Sequence, residues 1–368
     1  MNENHLASYL KLLTCQRLGV LQVRKSLNVI EENGFDFSFD FLCDFFNDKN
    51  FLKKLNSYNI QLVNNEIEFI KKNNIKYVGI LDDDYPKLLK QCVDAPIVLF
   101  YKGDLSLLNN KTISIIGTRK MSAYGKQITE ELFAELQPYL PTVVSGMAYG
   151  VDVHVYHQAK KHQLPKVAVM GTSFASYYPK KHQKYYEYLE QNGLIISEYA
   201  QFNKLAPEMF IRRNRLIAGL SQATVVIESA IKGGSLSTAI FANDYEREVY
   251  AVPGRLIDEM SLGCLKLIAN NQAHVLNDFK VIPTDLKWDA KIVDKKEELM
   301  SFDFHQYSQV QQSILKTLHI KEMHIEEIAQ KTQINMSDLN AELMMLEIEG
   351  LVKSLPGKMF GLNKKTTL

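Results

Sequence analysis

At 368 residues, 46% hydrophobic and 23% charged, the chain is long enough for more than one domain and has ample core material. A net charge of +1 excludes a globally basic protein, so what matters is where charge is placed. Four scattered cysteines (Cys15, Cys43, Cys92, Cys264) with no CxxC pair argue against a disulfide framework or zinc site, and MNENHLASYLKLLT has no basic region followed by an apolar run. With no apolar stretch long enough to span a bilayer, a cytoplasmic location away from membranes is expected.

Residues 1–82 show apolar spacing of three and four and form an expected N-terminal helical domain of SAM or helix-hairpin-helix type. LLTCQRLGVLQVRKSL has one usable glycine, Gly19, where DNA-binding hairpins show two. A small bundle with Gly19 as a helix cap is the plainer reading. Over residues 83–278 short apolar runs alternate with helical segments: TISIIG, TVVSG, KVAVMG, LIISE, ATVVIES and EVYAVPG each precede a helix. Continuous apolar strands followed by amphipathic helices predict α/β architecture, a doubly wound, mostly parallel Rossmann-like sheet. Its ligand belongs over the C-terminal strand ends. Residues 279–300, with the charge run DKKEE, read as a linker. Residues 301–368 read as three helices and a Pro-Gly hairpin, a winged-helix domain.

Four strand-end loops are rich in glycine and hydroxyl groups. In GTRKMSAYG, Gly117 allows a sharp turn, Ser122 can cap the next helix, and Arg119 stands beside that helix N-terminus as an anion site. The pattern is not GxGxxG and no ribose-gripping acid follows, so no dinucleotide cofactor is expected. SGMAYGVD offers Ser145, Gly146 and Gly150, with Asp152 as a helix N-terminal acid or an arginine partner. MGTSFASYYPKKHQK holds Gly171 and sets Lys180, Lys181 and Lys184 among Tyr177, Tyr178, Tyr185 and Tyr186. That mixture suits single-stranded nucleic acid, or equally a solvated helix start whose tyrosines pack inward. In KGGSLSTA, Lys232, Gly233, Gly234 and Ser235 open a second anion-ready helix.

IRRNRLIAGLS divides on a helical wheel. Asn214 falls within the apolar arc and is expected to bond loop backbone. Arg213, at the edge, is expected to pair inward with Glu198 or Glu228. Arg212 and Arg215 fall opposite, which makes Arg215 a candidate contact residue. There is no P-loop, HExxH, GxSxG or metal-spaced cluster, and His154 and His157 alone make no ligand set. No catalytic residue, metal or cofactor is assigned.

Taken in order, GTRKMSAYG, SGMAYGVD, SYYP, PEMFIRRNRLIAGLS, ESAIKGGSLSTA and AVPG, preceded by YPKLLKQCVDAPIVLFYKGD, resemble the DNA-processing protein A (DprA/Smf) family over residues 85–276. The resemblance implies an extended Rossmann domain that binds single-stranded DNA without catalysis or cofactor. It also implies protection of incoming strands, help in loading the RecA recombinase during natural transformation, and a homodimer through the Rossmann domain. It places Arg119 and Lys232 at phosphate-contacting positions, with the SGMAYG and GGSL glycines lining the pocket. This chain departs from the family in reading YPKKH, with His182, where an asparagine is usual, and GlyGlySer where SerGlySer is usual.

The third C-terminal helix carries Asp338, Glu342, Glu347 and Glu349 and no basic residue, which predicts protein contacts or regulation rather than major-groove reading. The alternative function is a lysine-decarboxylase-like phosphoribohydrolase, whose GG loop has the motif PGGxGTxxE. KGGSLSTAIF lacks its Gly-Thr pair and has Ile240 and Phe241 where the catalytic Glu would be sought.

Overall fold

The computed structural model describes residues 3–16, 18–46, 48–290, 307–320 and 322–362. Two compact units emerge, divided after residue 291.

The first unit opens with five helices: α1 (Glu3–Thr14), α2 (Val20–Asn33), α3 (Phe39–Phe45), α4 (Lys49–Leu55) and α5 (Ile60–Lys72). Their starts are set by local chemistry. Ser38, Asp48 and Asn59 accept hydrogen bonds from the first-turn N–H groups of α3, α4 and α5. Gly19 is the N-cap of α2, and Gly34, in the left-handed region, closes it. These helices do not form a separate body ending at residue 82. β1 (Lys76–Gly79) already belongs to the main sheet, and the ring of Tyr9 lies where a Cβ on Gly79 would be. One apolar core runs from Leu6 through Leu99 and Ile195 to Leu267.

The chain continues through α6 (Lys87–Lys90), β2 (Val98–Gly103), β3 (Thr112–Ile116), α7 (Ala123–Leu136), β4 (Thr142–Ser145), α8 (Val151–Lys161) and β5 (Lys166–Val169). It proceeds through α9 (Gln183–Asn192), β6 (Leu194–Ser197), α10 (Pro207–Gly219), β7 (Ala223–Val226), α11 (Ser235–Asp244) and β8 (Glu248–Ala251), ending in α12 (Leu262–Ala269), β9 (His274–Val275) and α13 (Val281–Asp285). The sheet order is β1-β2-β6-β5-β4-β3-β7-β8-β9. All neighbours from β6 to β9 pair in parallel; β2 joins β6, and β1 joins β2, antiparallel. β3 to β7 are buried along their whole length, as expected of strands covered on both faces. The winding runs outward from β3 to β6, then crosses back through α10 to β7 on the other side of β3. The switch point therefore lies between β3 and β7.

The expected linker also begins later than residue 279. Trp288 donates its indole N–H to Gln222 at 3.1 Å, and the Tyr250 hydroxyl donates to Asp285 at 2.9 Å, so α13 and Trp288 are bound into the first unit. The run DKKEE lies outside the described residues.

The second unit holds α14 (Gln309–Ile320), β10 (Met323–His324), α15 (Ile325–Thr332), α16 (Met336–Ile348), β11 (Val352–Leu355) and β12 (Met359–Leu362). Its sheet order is β10-β12-β11, and Ile314, Leu318, Ile328, Leu339, Leu343 and Leu346 fill its core. Three helices and a hairpin turning at Gly357 form the expected winged helix, with the short strand β10 added.

Candidate nucleic-acid interface

The loops after β3, β4, β5 and β7 gather at one edge of the sheet, because their strands are neighbours and parallel. They are fastened to one another through backbone. Thr118 N–H donates to the Glu228 carbonyl at 2.7 Å, joining the β3 and β7 loops across the switch point. Val151 N–H donates to the Thr118 carbonyl at 3.1 Å, joining the β3 and β4 loops. Gly150 makes that approach possible: its φ is +75°, and a Cβ there would lie 2.3 Å from the Thr118 carbonyl oxygen. His182 Nδ1 lies 2.8 Å from the Met147 carbonyl, tying the β5 loop to the β4 loop.

Glu228 organises the first loop. Its carboxylate takes the Ser122 N–H at 2.9 Å and the Ser122 hydroxyl, while Ser122 Oγ accepts from Gly125 N–H and caps α7. The N-terminus of α7, expected as an anion site, is thus already occupied by a buried carboxylate. Any attraction for anions at this loop comes from the exposed side chains of Arg119 and Lys120. The GG loop differs. Gly234 is the N-cap of α11 and has no side chain to cap it, while Ser235 is turned to Ser229 Oγ at 2.8 Å. Lys232 is exposed beside it.

Two buried arginines correct the wheel. Arg213 pairs with neither Glu198 nor Glu228. Its guanidinium runs beneath Gly146, donating to the Gly146 carbonyl at 2.9 Å and to the Val169 carbonyl, with Nε on Asn214 Oδ1 at 3.2 Å. A Cβ on Gly146 would fall 2.6 Å from that guanidinium, so the glycine is required by close approach. Burial holds the Asp152 carboxyl above its usual range, and the Arg213 charge offsets part of that rise. Asp152 also accepts from Ala148 N–H at 3.2 Å. Arg213 and Asp152 therefore form a charged floor under the β4 and β5 loops.

Arg215 is not on an outward face. It is buried, paired with Glu198, and donates to the Asp94 carbonyl at 2.7 Å. The wheel fails because α10 is covered on a second side. Gly219 lies against Leu89 and Cys92, so the segment before β2 packs where solvent was expected. Arg212 is exposed. Asn214, half-buried, donates to the Gly234 carbonyl at 3.2 Å and to Ser237 Oγ at 2.9 Å, stitching α10 to the GG loop.

In the third loop most tyrosines turn inward. Tyr186 is buried with its hydroxyl on the Tyr178 carbonyl, and Tyr177 donates to Glu190 at 2.7 Å. Gly171 is buried against Phe210, and Ser145, at the end of β4, is buried with no hydrogen-bond partner for its hydroxyl. Lys180 and Lys181 are exposed. Tyr178 (41%) and Tyr149 (40%) also remain exposed, Tyr178 leaning on Phe210 and Tyr149 edge-on to His182. Lys120 and Tyr149 escaped the sequence reasoning; the signal for Tyr149 was an aromatic residue just before a loop glycine. The assembled edge exposes the cations Arg119, Lys120, Lys180, Lys181 and Lys232 together with the rings of Tyr149 and Tyr178. Such a surface attracts phosphates and can stack bases. Among the described residues no group of three or more His, Cys, Asp or Glu side chains could hold a metal, and no helix is long and apolar enough to cross a membrane.

The family model for DNA recombination-mediator protein A matches residues 76–287, and the DprA winged helix domain matches residues 305–358. DNA processing protein DprA of Streptococcus pneumoniae is 37% identical over 190 residues, covering 52% of this chain and 67% of that protein. Protein Smf of Synechocystis is 28% identical over 327 residues, covering 80% and 82%. Among solved structures, S. pneumoniae DprA aligns with a TM-score of 0.67 at 28% identity, over 77% of this chain and 98% of that one. DNA processing protein A of Helicobacter pylori, whose structure addresses its single-stranded DNA binding mode, aligns with a TM-score of 0.52 at 29% identity, over 58% and 98%.

Proposed function

The chain belongs to the DNA recombination-mediator protein A family, and on that premise we propose that it binds single-stranded DNA along the C-terminal edge of its parallel sheet. The observation that carries the reading is the set of exposed cations over the strand ends with Tyr149 and Tyr178 beside them, held by loops locked to one another. Arg119, Lys120, Lys180, Lys181 and Lys232 take phosphates. The backbone of Gly117, Gly146, Gly171, Gly233 and Gly234 and the hydroxyls of Ser145 and Ser235 shape the floor, and the exposed rings stack bases. Arg213, Asn214, Glu228 and Arg215 hold the loops and stay out of contact with DNA.

No step of this reading needs a catalytic group or a cofactor. The role extends to loading RecA recombinase on incoming strands in the cytoplasm and to a homodimer through the Rossmann unit; family membership supports both. Fluorescence anisotropy on labelled oligo-dT, the matching duplex and a nucleoside monophosphate competitor tests it. Preference for the single strand, with no displacement and no base release from the monophosphate, is expected. Equal binding of duplex, or base release, overturns it.

A further inference from the structure

The second unit contains a helix that is apolar on more faces than its own core uses. In α16, Leu339, Leu343 and Leu346 point into the winged-helix core. On the opposite side Ala341, Met344, Met345 and Ile348 form a second stripe, with Met344 65%, Met345 52% and Ile348 72% exposed. A helix apolar on two faces is normally covered on both, and methionines are over-used at surfaces that accommodate partners. Asp338, Glu342 and Glu349 border this stripe on one margin. Asn340 and Glu347 border it on the other, and no Lys or Arg lies on the helix.

That border decides what covers the stripe. DNA is disfavoured by charge: a polyanion would meet Asp338, Glu342, Glu347 and Glu349 and no Lys or Arg of the helix, where a major-groove reader needs neutral or basic groups. A second copy of the same helix is disfavoured as well. Set antiparallel about the midpoint of Leu343 and Met344, Asp338 of one copy would face Glu349 of the other, so acid would meet acid. We infer that this face is a docking surface for another protein, which inserts an amphipathic helix whose apolar anchors are flanked by Lys and Arg. Apolar anchors at helical spacing fill the Met344–Ile348 stripe, and the basic flanks meet the acidic margin.

The test uses the full chain and two labelled synthetic peptides of 18 residues. Both have leucines at helical three–four spacing; one is flanked by lysines and the other by glutamates. Anisotropy should show the lysine peptide binding at least about tenfold more tightly than the glutamate peptide. Met344→Gln/Ile348→Gln should weaken the lysine peptide about tenfold while leaving oligo-dT affinity unchanged. Glu342→Lys/Glu349→Lys should reverse the preference between the peptides. All these positions are at least partly exposed, so the variants should fold. Equal binding of both peptides, or wild-type binding by the glutamine variant, overturns the inference. So does displacement of the peptide by duplex DNA, or a wild-type dimer that the glutamine variant turns into monomers.

Discussion

Replacing Arg213 by Met keeps the aliphatic stem and removes the guanidinium under the β4 and β5 loops. The Gly146 and Val169 carbonyls then lose a charged donor, at about 1.5 kcal/mol each, since both are buried and water cannot replace it. Asp152 loses the positive charge that offsets its burial, which adds about 1 kcal/mol. The expected destabilisation is about 3–4 kcal/mol in a urea titration at pH 8. Buried Asp152 then takes up a proton more readily in the folded than in the unfolded chain. A folded pKa raised above the unfolded one favours the folded state at low pH and loses that effect as pH rises. The penalty of Arg213→Met should therefore shrink between pH 8 and pH 5. Adding Asp152→Asn should recover at least ~0.5 kcal/mol through coupling. Oligo-dT affinity, measured where the variant is folded, should fall about tenfold with an unchanged salt slope, because a brace has been lost and not a phosphate contact. A cost below ~1 kcal/mol, strict additivity with Asp152→Asn, or a reduced salt slope would refute the assignment of Arg213 as a brace.

Arg119→Ala and Lys232→Ala should each weaken oligo-dT binding about fivefold and reduce the magnitude of the log K versus log salt slope by about 0.7, with thermal unfolding unchanged. Tyr149→Ala should cost about 1 kcal/mol of single-strand affinity at constant salt slope, read by the same anisotropy series, because stacking releases no counterions. Gly150→Ala forces a side chain into the left-handed region and against the Thr118 carbonyl, so calorimetry should show a lower Tm, with a loss of at least ~2 kcal/mol. Glu66, whose carboxylate accepts the Gln201 N–H at 2.9 Å, is pushed up by burial to about 7. Its contribution is full below the unfolded carboxylate range and is lost as pH rises through 7. Glu66→Gln should therefore raise stability by about 1–2 kcal/mol at pH 8 and give no advantage at pH 5 in thermal melts.

The parallel strands β3 to β8 were legible because each is a short, mostly apolar run between turn residues, and β3 to β7 are buried along their whole length. β1 and β2 were not. KYVG is a short edge strand, and VLFYKG is tied antiparallel between it and β6, a partner about ninety residues away, so no local pattern marks either. β9 is two residues long and carries no pattern at all. The loops at the site were legible for a different reason: glycine, serine and lysine at strand ends have few structural uses together. What stayed hidden was how their charges are spent. Glu228, just past β7, and Arg215, within α10, each have an opposite partial or full charge in reach, and only the tertiary fold shows that each is already used. A single wheel could not show that α10 is covered on two sides.

The central claim is that exposed cations over the strand ends hold a single strand by its phosphates. The salt dependence of oligo-dT affinity tests this most directly. With Arg119, Lys120, Lys180, Lys181 and Lys232 engaged, log K should fall against log salt with a slope of about −3.5, at ~0.7 per phosphate neutralised. The Arg119→Ala/Lys232→Ala double variant should then show a slope nearer −2. A slope close to zero, or the same slope in both proteins, would contradict the account.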